Sequence, residues 1–555
     1  MATALVTPAV ATAQPVIVQG SPTSGTVTTV ASNTFTDTLS AASGFVGPVT
    51  WTQSTGSPQL LVSSSGGVTT SGFLAAGTYT ATGTTADGYG DTGTFTYTLT
   101  VTAPVNWPAY LFGPAHSSDN AATLAITIAN AASLSQAWTF VPPGKVGNEI
   151  YSSPVVYQGN VYIGSENGSF YDLTESTGSV VWSHFTAQQH NLSCGASYGV
   201  GQGFVSTATV APDPKSRKPT VYVAAPDGYL YAWNASNGTR LWRSVVAIPS
   251  TKVNDYFNWS SPTVAKGLIY VGVASNCDTP LVWGGEKVYD QSSGKLLATF
   301  HTNPKGQLGG TIWSSALVTS DGSVFVSTGN PVNDGAGAIG GSDAIIRLDR
   351  RTLTKKDIFT VPRADRTSDG DFGSSPTVWT APLPPLRTVP TQMVGACNKN
   401  GKFYALRASN LAAGPVWTDQ LGTVEASGTP CLSSAVWDQA TSQLFLSGNS
   451  TTINGTSYRG SVQEVNPATG KPIWQTGLPG AVAGTPTLDG SGVLAVATFD
   501  FSGAPNAVYL IDASSGQIIS TVSTGNTADF AQPVFADSYL FVATVGQGLL
   551  AYQAP

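Results

Sequence analysis

Nothing in this 555-residue chain approaches the roughly 18 to 20 continuous apolar residues that a membrane helix requires. Charge is scarce too: Asp, Glu, Lys and Arg make up 10% of the residues, the net charge is −7, and no run of Lys or Arg is longer than two residues. That leaves no sequence-level electrostatic footprint for nucleic acid or anionic lipid. The four cysteines, Cys194, Cys277, Cys397 and Cys431, have no C-x-x-C spacing, which excludes a zinc ribbon, a thioredoxin-type site and c-type haem attachment. His116, His184, His190 and His301 show no ligand spacing, so a zinc or copper centre is not expected. The opening Met1 to Pro8 has neither a basic n-region nor a solid apolar core, so it is not an intact secretory signal. The Thr/Ser/Gly-rich, lysine-poor composition points to an exported protein, secreted or at the cell surface, whose leader is absent from this chain.

What the chain has in abundance is turns. It holds 61 Gly and 35 Pro, with Thr and Ser throughout, the make-up of short strands joined by many tight connections. Residues 1–15 read as disordered. Residues 16–103 alternate with period two in short runs such as Val49-Thr50-Trp51-Thr52 and Gly93 to Val101, an antiparallel sandwich pattern. Pro104 and Pro108 read as a linker. Beyond them one unit repeats: Ser-Ser-Pro and a strand, a turn, an aromatic-bearing second strand, an x-Gly turn, and a closing Trp. The clearest copy runs from Ser152-Ser153-Pro154 through Val161-Tyr162-Ile163 and Thr177-Gly178 to Trp182. Trp138, Trp242, Trp417 and Trp474 close further copies. A four-stranded sheet cannot bury both faces alone, so such units stack radially around a channel. Seven full blades and a partial eighth are expected over 104–555, with Ser135-Gln136-Ala137-Trp138 supplying the missing outer strand and closing the ring.

These repeats resemble the pyrroloquinoline quinone (PQQ)-type propeller family, whose tag is Ala-x-Asp-x-x-Thr-Gly-x-x-x-Trp. The pattern around Gly77-Thr78-Tyr79 and Phe95 to Leu99 resembles bacterial immunoglobulin-like modules. The fold class expected is therefore all-β: an eight-bladed propeller of PQQ-repeat type preceded by a small immunoglobulin-like sandwich. Non-catalytic propellers share the tag, so fold and function are separate questions.

In a propeller, residues just before each first strand and just after each second strand gather at one rim. By that rule Cys194 faces Cys277 and Cys397 faces Cys431 across adjacent blades, within plausible reach for two disulfides. Asp278, Trp313, Asn330, Asp371 and Lys399 share the same rim. Here the chain resembles the calcium-dependent quinoprotein alcohol dehydrogenases. The resemblance implies that Trp313, in Gly309-Gly310-Thr311-Ile312-Trp313, is the floor under PQQ. It implies Asp278, Asn330 and Asp371 as ligands of a calcium ion, Asp371 as the catalytic base, and Lys399 as the cation beside the quinone. Glu149 is a looser cofactor contact. Oxygen ligands suit a hard cation, and an indole face suits a flat cofactor. The family's vicinal Cys-Cys lid is absent, and no Arg occupies Cys194-Gly195-Ala196-Ser197. The function implied is oxidation of an alcohol, polyol or polymer substrate with an external electron acceptor. The alternative is a non-catalytic exported propeller that binds protein or polymer, attached to the cell surface or wall through the N-terminal module.

Overall fold

The computed structural model describes residues 14–28, 35–71, 74, 76–144, 149–189, 202–250, 255–331, 340–384, 389–423, 430–499, 506–525, 527 and 530–554. The chain divides into two compact units, Met1–Pro104 and Val105–Pro555. In the first, Thr92–Thr102 is the central strand of one sheet, antiparallel to Gly77–Ala86 and parallel to Val16–Gln19 and Ser24–Thr28. A second sheet joins Thr36–Thr38, Gly67–Thr70 and Leu60–Val62. Alternation places Trp51, Leu60, Val68, Phe95, Tyr97 and Leu99 in one buried cluster. Most of the segment read as disordered lies outside the described residues.

The second unit is a ring of eight antiparallel sheets, each with four principal strands: blade 1 (155–185), blade 2 (209–245), blade 3 (256–301), blade 4 (317–360), blade 5 (377–420), blade 6 (436–478), blade 7 (487–522) and blade 8 (534–553). The outer strand of blade 8 is Ser135–Phe140, paired antiparallel with Leu549–Gln553, as the count of strands requires.

The repeated motif has a physical reason at each end. On the inside, the second hydroxyl-bearing residue of the Ser-Ser-Pro-like turns of blades 2 to 5 accepts a backbone N–H from the preceding blade, whereas Ser434 Oγ in blade 6 has no hydrogen-bond partner among the described residues. Ser153 N–H donates to Thr207 Oγ1 at 2.8 Å, Thr207 N–H to Ser261 Oγ at 3.0 Å, Ser261 N–H to Ser315 Oγ at 2.9 Å and Ser315 N–H to Ser375 Oγ at 2.8 Å. Gln532 N–H donates to Ser153 Oγ at 3.1 Å, carrying this inner belt across the closure. On the outside, each closing Trp packs on the x-Gly turn of the next blade, and four of the five donate an indole N–H there: Trp138 to Glu175 O at 2.8 Å, Trp182 to Ala235 O at 2.9 Å, Trp417 to Pro467 O at 3.2 Å and Trp474 to Ala513 O at 3.1 Å. The glycine is required twice over. Gly178 has φ 67°, and a β-carbon on it would meet the Trp138 ring at 2.5 Å.

The segment read as a linker is instead a stopper. After Pro104 the chain crosses the end of the channel and bonds to blade after blade. Trp107 N–H reaches Val156 O, Pro108 O receives Val210 N–H, and Leu111 N–H reaches Gln532 Oε1. Pro114, Ser117 and Ser118 carbonyls receive N–H groups of Val318, Trp437 and Leu488. His116, 1% exposed, is kept neutral by burial, which pushes its pKa down to about 4, and its Nδ1 lies 2.7 Å from Pro376 O. Such a path bends sharply, with Leu111, Phe112, His116 and Ser118 all at positive φ. Alternating hydrophobicity cannot announce it, because its hydrogen bonds go to strands hundreds of residues away.

Candidate functional site

Blade geometry converts one repeat position into a ring. The residue before each inner turn points into the channel: Tyr151, Val205, Trp259, Trp313, Gly373 and Phe530 line a narrow cavity of about 40 Å³, with Tyr110 of the stopper as its floor. Above it the channel opens into a cavity of about 430 Å³, walled on one side by Trp259, Trp313 and Phe530 and on the other by Asp278, Asn330, Asp369, Asp371 and Lys399. The Phe530 ring meets Trp313 edge-on at 5.5 Å and Trp259 at 6.3 Å. The aromatic wall is therefore braced from within.

Asp371 is 2% exposed and is held from two sides. The Trp313 indole N–H donates to its Oδ2 at 2.7 Å, and Lys399 Nζ lies 2.8 Å from its Oδ1. Lys399 also contacts both oxygens of Asp369, at 3.0 and 3.1 Å, and lies 5.4 Å from the Trp313 ring centre. The Asn330 amide bridges onward, donating to Asp369 Oδ1 at 3.0 Å and Asp278 Oδ2 at 3.2 Å. Asp278 receives the Ser275 hydroxyl, and it and Cys277 sit at φ 56° and 65°. Two successive non-glycine residues in that region cost of order 1–3 kcal/mol each, a strain typical of functional loops. Burial raises the Asp371 pKa, the Lys399 charge pulls it back, and the result is about 6. For Lys399 burial acts downward, but the two aspartates outweigh it and hold the ammonium firmly protonated. Asp369, with 57% of its side chain exposed, feels burial upward and Lys399 and Asn330 downward, and ends below the usual carboxylate value.

Five of the six residues singled out from sequence thus line one cavity. Glu149 does not line it; its carbonyl receives the Glu166 N–H at 3.1 Å, and Glu166 is a buried carboxyl raised to about 8 by burial. Sequence reasoning missed Asp369 and Phe530. Phe530 was legible, since it occupies in blade 8 the slot that Trp313 occupies in blade 4. Asp369 was hidden by its loop, where Asp365, Asp369 and Asp371 look alike until folding selects two of them. The disulfide joins Cys397 and Cys431, with Cα atoms 5.6 Å apart. The pairing of Cys194 with Cys277 lies outside the described residues, as does His190.

Among the described residues no three carboxylates, imidazoles or thiolates are spaced to hold a metal ion as they stand. The donor types nevertheless fit a hard cation. Three aspartates against one lysine leave the wall at net charge −2, which a divalent ion would neutralise, and the Asn330 amide, turned over, presents its oxygen where it now presents nitrogen. The Trp313 face suits a flat ring system, which would take the space where Lys399 Nζ now lies 5.4 Å from the ring centre.

Fold and cavity together define an eight-bladed propeller with an aromatic-floored, acidic site at the mouth of its channel. Residues 107–410 match the family described as Glucose/ethanol/alcohol dehydrogenase, beta-propeller domain (PQQ), and the chain belongs to that family. It is similar in structure to quinohemoprotein alcohol dehydrogenase from Comamonas testosteroni, with TM-score 0.63 and 16% identity over 81% of this chain and 80% of that one. It is similar also to a europium-containing methanol dehydrogenase, with TM-score 0.62 and 14% identity over 81% of this chain and 98% of that one. At these identities the likeness is one of fold. In sequence it is 27% identical over 211 residues to the type IV pilus biogenesis factor PilY1 homolog of Xylella fastidiosa. The match spans 35% of this chain and 15% of that relative.

Proposed function

We propose that the cavity is a redox site that oxidises an alcohol or polyol using PQQ and a divalent cation such as calcium, passing electrons to a separate acceptor. The observation that carries this reading is the double hold on Asp371, a buried carboxylate pinned between an indole N–H and an ammonium inside an otherwise open cavity. Asp278, Asn330 and Asp371 would hold the cation, with Asp369 beside them; Trp313 and Lys399 would hold the ring. When bound, PQQ supplies a two-electron acceptor and the cation polarises its carbonyl. The chain's own contributions are positional and acid–base. Trp313, clamped through its Nε1 and braced by Phe530, offers a fixed plane. Asp371, with a pKa brought near neutrality by burial, takes the substrate hydroxyl proton at Oδ1, the oxygen facing Lys399. Lys399 keeps that carboxylate oriented. The aromatic wall excludes water on the channel side.

Addition of PQQ and calcium to the purified protein is expected to give saturable cofactor absorbance, quenched tryptophan fluorescence and dye-linked alcohol oxidation. Absence of binding at micromolar cofactor would overturn the reading. The pilus-factor relative favours a second one, an exported propeller that binds protein or polymer without catalysis. Under either reading the disulfide between Cys397 and Cys431 supports an oxidising, extracytoplasmic compartment.

A further inference from the structure

Blades 1 and 5 stand opposite each other in the ring, and they carry the same rim turn with different chemistry. Glu149 lies three residues before Ser152-Ser153-Pro154, as Asp371 lies three before Ser374-Ser375-Pro376. Glu166, in Ser165-Glu166-Asn167-Gly168, takes the place of Lys399 in Asn398-Lys399-Asn400-Gly401. The backbones agree: Glu166 N–H donates to Glu149 O at 3.1 Å, and Lys399 N–H to Asp371 O at 3.0 Å. So do the next side chains, the Asn167 amide reaching Tyr171 OH at 2.7 Å and the Asn400 amide Tyr404 OH at 2.8 Å. On blade 5 the buried carboxylate meets an ammonium of its own chain, at 2.8 Å. On blade 1 an acid neighbours an acid, and among the described residues no Lys, Arg or His pairs with either.

Two amides complete the group. Gln189 and Gln202 form an antiparallel backbone pair, N–H to O at 2.9 and 2.8 Å, so their side chains leave it on one side. The pair is strapped to Glu166: Gly203 N–H donates to Glu166 Oε2 at 2.9 Å and Gln188 Nε2 to Glu166 O at 2.7 Å. A β-carbon on Gly203 would meet Glu166 Cα at 2.7 Å. Gln189 Nε2 donates to Pro226 O in blade 2, which fixes the amide and leaves its oxygen for another partner. Glu149 Oε2, Glu166 Oε1, Gln189 Oε1 and Gln202 Oε1 are all buried with no hydrogen-bond donor among the described residues. Glu166, Gln189 and Gln202 are only 4%, 7% and 3% exposed. Buried polar atoms are nearly always satisfied, so four acceptors gathered without a donor call for a ligand that supplies positive charge. Water could hydrogen-bond to them, but it would leave two neighbouring carboxylates without countercharge; burial, and then the Glu149 charge, already raise Glu166 to about 8. A doubly charged hard cation meets both needs. Calcium accepts an irregular set of carboxylate and amide oxygens, whereas magnesium demands a near-ideal octahedron.

We propose that Glu149, Glu166, Gln189 and Gln202 form a calcium site at the mouth-side rim of blades 1 and 2, separate from the acidic wall of blades 3 to 5. The ion does for blade 1 what the Lys399 ammonium does for blade 5. The test is calorimetric titration of calcium chloride into the chelator-treated full chain without PQQ, with magnesium chloride in parallel. Glu166→Gln keeps the shape of the side chain and is expected to remove one bound calcium per chain, or to weaken it at least about tenfold. That loss is expected with or without Asp278→Asn, and Asp278→Asn alone is expected to keep this calcium, which separates the site from the redox cavity. In chelator Glu166→Gln is expected to melt with the wild-type chain. Gln202→Leu, which removes an oxygen and no charge, is expected to weaken calcium binding as well and decides the matter if Glu166→Gln does not fold. Equal calcium binding by the wild-type chain and these variants, no binding up to millimolar calcium, or tighter binding of magnesium would each overturn the proposal.

Discussion

Two stretches of the ring are built differently. At the joints from blade 8 through blade 3, and again from blade 5 through blade 7, a tryptophan of one blade is clasped on a glycine turn of the next: Trp138 on Gly178, Trp182 on Gly238, Trp242 on Gly294, Trp417 on Gly470 and Trp474 on Gly516. At the joints between blades 3 and 4, between blades 4 and 5 and between blades 7 and 8 this clasp is missing, so only blades 3 to 5 have two successive joints without it. The outer strand Leu296–His301 has no Trp, and the matching turn of blade 4 carries Leu353, at φ 52°, where the others carry glycine. Polar reach replaces it: Tyr270 OH donates to Arg350 O at 2.8 Å, Arg347 Nη1 to Ala408 O at 3.2 Å, and the Leu411 N–H to Asp357 Oδ2 at 2.6 Å. The inner belt runs on unbroken there through Ser261, Ser315 and Ser375. Blades 3 to 5 are also where Asp278, Trp313, Asn330, Asp371 and Lys399 stand. Repetition holds the ring together, and the candidate site occupies the stretch where two successive joints depart from it.

The contrast can be broken most forcefully at a clasp. Trp182→Ala removes an indole that is 9% exposed and sits in the blade 1–2 core; a loss of about 3–5 kcal/mol is expected in denaturant unfolding. Trp313→Ala, a tryptophan of the other kind, is expected to leave the melting temperature nearly unchanged while abolishing cofactor-dependent quenching. Asp371→Asn keeps the shape of the carboxyl but not its basicity, so dye-linked turnover is expected to fall about 10²- to 10⁴-fold with no loss of stability. If both tryptophan variants unfold alike, the division between clasp and site is wrong. Ser315→Ala strands the Ser261 N–H in the inner belt and is expected to cost about 1–3 kcal/mol by chemical denaturation.

The subtlest test is of pH. Burial raises Glu166 and Asp172 to about 8, well above their unfolded values. A carboxyl raised on folding is held protonated, so its contribution is complete below the unfolded value and lost as pH climbs through the folded one. Thermal stability is therefore expected to decline between pH 5 and pH 8.5, and Asp172→Asn to flatten that slope. A steeper slope in the variant would contradict the assignment.

The same contrast explains what was legible in the residues. The Ser-Ser-Pro turns, the Trp closures and the strand Ser135–Phe140 are local signals that repeat, and they announce eight blades. The positions of Trp313, Asn330 and Lys399 follow once a blade's geometry turns position along the chain into position on a rim. Asp369 does not follow, because which of three neighbouring aspartates meets Lys399 depends on how one loop folds. The stretch from Val105 to Asn120 does not follow either: its partners are scattered over seven blades, and no local pattern encodes so dispersed a set of contacts.

Residues 105–120 give the axle of the wheel a closed hub. With one end stoppered, the described residues leave the cup open only at the other, and whatever enters there must leave by the way it came. Alcohol, carbonyl product and electron acceptor would have to take turns at that doorway, so product left lingering there would compete with the next substrate and with the acceptor alike. Opening the hub, rather than altering the chemistry, is then the change that would make the traffic one-way.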